Sequence, residues 1–266
     1  MTPPEVRLPE SLLDGEPGNS IDIEARPEEL ERLFSRVRES WRAFGEAEPD
    51  WSVSTHDRYR SGNIQENLDE FKRTGERDAA RFELWLRRNG IQLPPASACI
   101  DFGCGTGRVT HALASRFGKV IAVDASQPHL DIARKRVSGD VEWRLLRTLS
   151  DVERLPPADA IFCLIVLQHS PPPLMLYLAG LLFRALRPGG VAYLQVPVFR
   201  TGYSFRLREY LASPPGPEVM EMHFLPQRHV FAAAASQGCR PLEVLPDYYT
   251  GDPDAISCTF LFRKES

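Results

Sequence analysis

Apolar positions along the chain change rhythm near its first third. Leu30, Leu33, Phe34, Val37 and Trp41 recur at helical spacing and predict a helix over about Pro27–Arg42. Leu68, Phe71, Phe82, Leu84, Trp85 and Leu86 predict a second helix, Ile64–Arg88, which Asn89-Gly90 stops. The stretch between them, EPDWSVSTHDRYRSGN, is rich in turn formers and aromatics and reads as an ordered loop. Upstream, residues 1–26 are rich in Pro, Glu and Gly without periodicity, the pattern of a flexible tail. After Pro94-Pro95, short β-rich runs alternate with helical ones: SACIDFG, GRVTHALASRF, KVIAVD, QPHLDIARKRV, VEWRLL, ADAIFCLIV, PPLMLYLAGLLFRAL and GGVAYLQVPV. Strands separated by helices of 10–15 residues or so predict right-handed βαβ units and a doubly wound parallel sheet, an α/β fold. The apolar runs Ala158–Val166 and Val191–Val198 suit strands buried on both faces. An irregular segment, 199–226, breaks the alternation; a helix over about Gln227–Gln237 and β-like runs Pro241–Leu245 and Ile256–Phe262 follow. The expected organisation is a tail (1–26), an N-terminal helical cap (27–95) and one α/β domain (96–266) carrying the insertion 199–226.

Composition narrows the class. The 266 residues are 42% hydrophobic and 26% charged, close to a globular average, with net charge −4. A nucleic-acid binder usually carries a basic excess, so no nucleic-acid partner is expected. No run reaches the ~18 apolar residues of a membrane span, and MTPPEVRLPE lacks the basic start and apolar core of a signal peptide. No membrane partner and a cytoplasmic location are therefore expected. The five cysteines (Cys99, Cys104, Cys163, Cys239, Cys258) are scattered and never form a CxxC pair, which fits free thiols and no zinc site.

The chemistry concentrates in DFGCGTGR, residues 101–108, which closes one predicted strand and opens the next helix. Glycines there let a ligand lie against bare backbone near the strand ends. Asp124 ends the following strand, about 20 residues on, where a carboxylate accepts both hydroxyls of a ribose. The dinucleotide fingerprint GxGxxG fails here: Gly107 comes one residue early and Arg108 follows it. Asp101, two residues ahead of Gly103, suits an ammonium group better than a pyrophosphate.

DFGCGTG with AVDAS after it resembles the first motifs of the Rossmann-like, class I S-adenosylmethionine-dependent methyltransferases. The likeness extends to ADAIFCLIVLQH and LRPGG, covers about residues 96–198 well, and reaches the last two strands. It implies a seven-stranded sheet of order 3-2-1-4-5-7-6 with strand seven antiparallel, and S-adenosyl-L-methionine as cofactor. It also implies that Gly103, Gly105 and Gly107 line the methionine and ribose portion and that Asp101 holds the amino group. Asp124 would take the ribose hydroxyls, Ala125 and Ser126 would lie beside the adenine, and Leu164 would touch the cofactor. Leu149 and Ser150 are the candidates after strand three, and Gln168 is either a cofactor contact or a loop tie. WSV followed by HDRYRSGN is similar to the helical cap of a bacterial subgroup linked with glycan or small-metabolite methylation.

The acceptor must be positioned and, if it is a hydroxyl or ammonium, deprotonated. His169 ends LIVLQH on the catalytic rim and is the first candidate base; its bland reading is a helix-entry residue. In the insertion, Glu221 and His223 share a face if MEMHF is extended, giving a second acid–base pair, with packing as the equal alternative. They lack a third ligand for a metal. Trp51, Tyr59 and Tyr203 are candidate acceptor contacts, the aromatics suiting a sugar ring or simply stapling helices to the core. His111, His129 and His229 read as packing or surface residues, and Cys104 and Cys163 as small packing residues. The expected activity is O-methylation of a saccharide or small polar metabolite. The rivals are N-methylation of a small amine and a non-catalytic cofactor-binding subunit.

Overall fold

The computed structural model describes residues 20–213 and 220–265. Its centre is a seven-stranded sheet: β1 (Ala98–Phe102), β2 (Lys119–Asp124), β3 (Val141–Leu145), β4 (Ala158–Cys163), β5 (Leu186–Arg200), β6 (Cys239–Asp247) and β7 (Ala255–Lys264). The strand order is β3-β2-β1-β4-β5-β7-β6, with β7 antiparallel to both neighbours and the first five strands parallel. This is the topology expected from the motifs.

Alternation within each strand splits the core into two layers. Ile100, Phe102, Ile121, Val123 and Ile161 enter one layer, while Cys99, Val120, Ala122, Ala160 and Phe162 enter the other. The first layer is covered by α1 (Pro27–Ala47), through Leu30, Leu33 and Phe34, and by α7 (Pro172–Ala185). The second is covered by α3 (Ile64–Arg88), through Ala79, Phe82 and Trp85, and by Leu130 of α5 (Gln127–Arg136). The two long helices of the segment 27–95 each complete a face of the sandwich, because their apolar stripes have the sheet as partner.

Local detail departs from the sequence pattern in three places. The loop between the long helices contains a short helix, α2 (Pro49–Val53), with Pro49 at its first position, where a missing N–H costs nothing. Within the expected tail, residues 20–26 are tied down: Ile21 forms a parallel bridge with Phe205, and Asp22 accepts the Leu207 N–H at 2.9 Å. That bond caps α8 (Leu207–Ala212), a helix inside the insertion. Residues 1–19, the rest of the tail, lie outside the described residues. The apolar run Ala158–Val166 stops pairing at Cys163, because Ile165 turns left-handed at φ 60°. Short helices α4 (Thr110–Ala114) and α6 (Leu149–Glu153) and the longer α9 (Gln227–Ser236) complete the described helices used below.

Candidate functional site

The ligand face is built where β1 and β2 end. Leaving β1, Gly103 and Cys104 both donate their N–H to the Val123 carbonyl, at 2.8 and 3.1 Å, so the loop is laid across the end of β2. Gly103 and Gly105 take φ of 74° and 53°, open to glycine at no steric cost. Asp124 ties the loop together: Gly105 N–H donates to its Oδ2 and Ser126 N–H to its Oδ1, each at 2.8 Å. Each carboxylate oxygen keeps a lone pair for a further donor. Asp101, buried at the end of β1, accepts a 2.7 Å hydrogen bond from Thr110 at the start of α4. Burial raises its carboxyl to about 6, against the pull of the Thr110 hydroxyl and the Arg108 charge.

Over this loop lies a cleft of about 930 Å³, its mouth included. Asp101, Gly103, Gly105, Asp124, Ala125 and Leu164 all line it. Other expected cofactor contacts stand elsewhere. A Cβ on Gly107 would fall 2.7 Å from Val137 Cγ2 and 3.3 Å from Ala133 Cβ, so this glycine serves the packing of the loop on α5. Ser126 is fully buried behind Asp124, and its Oγ meets His129 Nδ1 at 2.7 Å. Leu149 belongs to the core and Ser150 to α6, while Leu146, directly after β3, takes the wall position they were expected to hold. Gln168 is buried off the cleft. Arg108 lines the cleft with its guanidinium braced from α3, Nη1 lying 2.6 Å from Asp78 and 3.2 Å from Thr74, while its buried Nε has no hydrogen-bond partner.

The acceptor candidates gather beside the cleft instead of on its wall. His169 is buried with both ring nitrogens engaged: Nδ1 lies 2.8 Å from the Glu221 carbonyl oxygen and Nε2 3.2 Å from the Gln168 amide nitrogen. Burial pushes its imidazole down to about 4. Glu221 and His223 do meet, at 3.2 Å, and Tyr203 O–H lies 2.9 Å from His223 Nδ1. Tyr210 O–H and Arg36, from α1, close the cluster on the Glu221 carboxylate. Burial alone would raise that carboxyl; hydrogen bonds from His223 and Tyr210 and the nearby positive charge hold it at about 2. None of His169, Glu221, His223 or Tyr203 lines the cleft. Trp51 also points away, its ring under the Arg60 guanidinium at 4.4 Å, and Tyr59 is buried against Phe71. What the cap does bring to the cleft is Phe34, Val37 and Trp41 from α1 and Ser52 and Val53 from α2. The helical stripe marked the first three as apolar, but nothing in it separates a residue facing a ligand from one facing the core.

Residues 99–190 match the model of a methyltransferase domain. Trans-aconitate 2-methyltransferase of Variovorax paradoxus (strain S110) is 32% identical over 167 residues, 62% of this chain and 56% of the relative. The enzyme of the same name from Azoarcus sp. (strain BH72) is 35% identical over 144 residues, 53% of each chain. The chain thus spans about half the length of these curated relatives. In fold, the chain resembles magnesium protoporphyrin IX methyltransferase of Synechocystis PCC 6803, solved with bound S-adenosylhomocysteine. The TM-score is 0.59 at 18% identity, covering 86% of this chain and 98% of that one. Sheet order, glycine loop and domain match agree: residues 99–190 match a methyltransferase domain, and the fold is the Rossmann-like methyltransferase fold.

Proposed function

We propose that this protein binds S-adenosylmethionine in the cleft and methylates an oxygen of a small polar acceptor, and that the acceptor atom is a carboxylate oxygen. The observation that carries the reading is the inventory of the cleft wall: among the described residues its charged groups are Asp101, Asp124 and Arg108 alone. Those groups fit the cofactor. Asp124 offers lone pairs to two ribose hydroxyls, Asp101 offers a buried anion to the ammonium, and the Arg108 guanidinium on the same wall suits the carboxylate. Phe34, Val37 and Trp41 close the apolar side and exclude water. When bound, the cofactor supplies a methyl group on a positively charged sulfur.

No proton acceptor on the described wall remains for the acceptor molecule. The Cys104 thiol is raised well above its ordinary value by burial, and His169 is turned away with both nitrogens bonded. A hydroxyl or ammonium acceptor would need a base at that position; a carboxylate arrives ionised at neutral pH. Trp51 and Tyr59, the aromatics expected to meet a saccharide, face elsewhere, and Phe34 and Trp41 stand on the wall instead. Curated relatives named for trans-aconitate, a carboxylate, are consistent with the proposal.

The test is transfer of labelled methyl to matched panels of small carboxylates, saccharides and amines. Methyl esters release volatile methanol in mild base, whereas ethers and methylamines do not. Label that resists base, on a sugar or amine, would refute the carboxylate assignment; failure to bind S-adenosylhomocysteine in calorimetry would refute the cofactor.

A further inference from the structure

We infer that Gln195, in the middle of β5 and fully buried, is the positioning residue that holds the cofactor-facing loop after β4 in its strained form. The inference rests on the cleft being the S-adenosylmethionine site. Ile165 sits at φ 60°, a region a β-branched side chain rarely enters and which persists only where the surroundings enforce it. Among the described residues it is the one non-glycine residue there. The kink sends Leu164, Ile165 and Val166 onto the cleft wall. Val166 then lies directly over Gly103, with Cγ2 2.4 Å from where a glycine-to-alanine Cβ would stand. Relaxing Ile165 would withdraw Val166 from the glycine loop.

The enforcing contact is directional. The Ile165 N–H can only donate, and it donates to Gln195 Oε1 at 3.1 Å. That fixes the amide, so Gln195 Nε2 must be the donor to Gln168 Oε1 at 3.1 Å and to Ser257 Oγ at 2.6 Å. Ser257, opposite Asp247 in the β6–β7 register, receives that donor on its Oγ. Gln168 Nε2 is then the donor to His169 Nε2, leaving Nδ1–H to donate to the Glu221 carbonyl. Each of these bonds then pairs a donor with an acceptor, so one buried amide orients a chain from the cleft wall to the insertion. No packing requirement of β5 calls for an amide there; Tyr193, two residues before it on the same face, packs in the apolar second layer.

A double-mutant cycle on binding of S-adenosylhomocysteine, read by calorimetry, tests this. The wild-type measurement comes first: no binding there would refute the cofactor reading and leave Gln195 without a site to serve. With wild type binding, Gln195→Met keeps the volume, removes the hydrogen bonds and should weaken affinity by about tenfold. Glycine adopts positive φ without an anchor. In an Ile165→Gly background, Gln195→Met should therefore move the dissociation constant by less than about twofold. Equal losses in both backgrounds, or unchanged affinity in Gln195→Met, would overturn the inference. Should Gln195→Met fail to fold, Ser257→Ala, which removes one acceptor of the same amide, runs the same cycle with a smaller first effect.

Discussion

Asp101 is kept where its charge is costly to the ligand-free protein. Burial raises its carboxyl from 3.8 to about 6, so the folded state binds that proton more tightly than the unfolded chain. Stability from this group is present below about pH 4 and is lost as pH rises through 6. Asp101→Asn, which still accepts from Thr110, should therefore stabilise the ligand-free protein at pH 8 by about 1–3 kcal/mol, with no gain near pH 4. The same variant should bind S-adenosylhomocysteine more weakly. Thermal melts at both pH values and one titration check it, and a variant less stable at pH 8 contradicts the burial account. His169 carries the opposite sign. Its imidazole is depressed from 6.5 to about 4, so its contribution is intact above pH 6.5 and lost as pH falls toward 4. His169→Asn should flatten the decline in stability across that window. It should also leave no missing limb near pH 6.5 in the kcat/KM profile, because an imidazole with both nitrogens bonded is not free to take an acceptor proton. A wild-type limb near 6.5 that disappears in the variant would restore His169 as the base.

At the scale of elements, α3 is held to the glycine loop by a backbone contact and an ion pair. A Cβ on Gly75 would stand 1.8 Å from the Arg108 carbonyl oxygen, a backbone atom that cannot yield without moving the loop. Mid-helix glycine is ordinarily worse than alanine by about 1 kcal/mol. Here the order should reverse: Gly75→Ala should lower the melting temperature and weaken cofactor binding, since the loop shifts with the helix. A stabilised Gly75→Ala would show that the helix can stand off. This contact marks the limit of what periodicity reveals. The strand–helix alternation, the helix Ile64–Arg88 and the loop from Asp101 to Arg108 were legible because each depends on neighbours in sequence. The apolar spacing of the helix says nothing of Gly75, and Arg108 stood out only as a departure from the dinucleotide fingerprint; their roles come from each other, more than thirty residues apart. The end of β4 was missed for a similar reason. Leu164, Ile165 and Val166 extend an apolar run, and only Gln195, on another strand, turns them. For Trp51 the aromatic residue was visible but its direction was not, since α2 presents Ser52 and Val53 to the cleft and Trp51 to Arg60.

For the molecule as a whole, the ligand site is roofed by the same helices that complete the core. α1 and α2 both line the cleft, and Val53 Cγ2 lies 2.6 Å from where a Cβ on Gly105 would be. The approach to the glycine loop would be widened by lifting α2. Its tether is the pair between Asp50, 3% exposed, and Arg136 at the end of α5, where Nη2 donates to Oδ2 at 2.9 Å. Ser52 adds a second tie, its Oγ 2.9 Å from His129 Nε2. If the tether holds the roof equally in free and bound protein, weakening it speeds opening in both. Asp50→Asn should then raise the association and dissociation rates of S-adenosylhomocysteine together, each by severalfold, while Kd moves by less than about threefold. Trp41 lines the cleft and supplies the fluorescence signal for stopped-flow measurement, with Trp41→Phe as its control. A rise in dissociation rate alone would mean instead that the pair stabilises only the bound state, and that α2 stands open before the cofactor arrives.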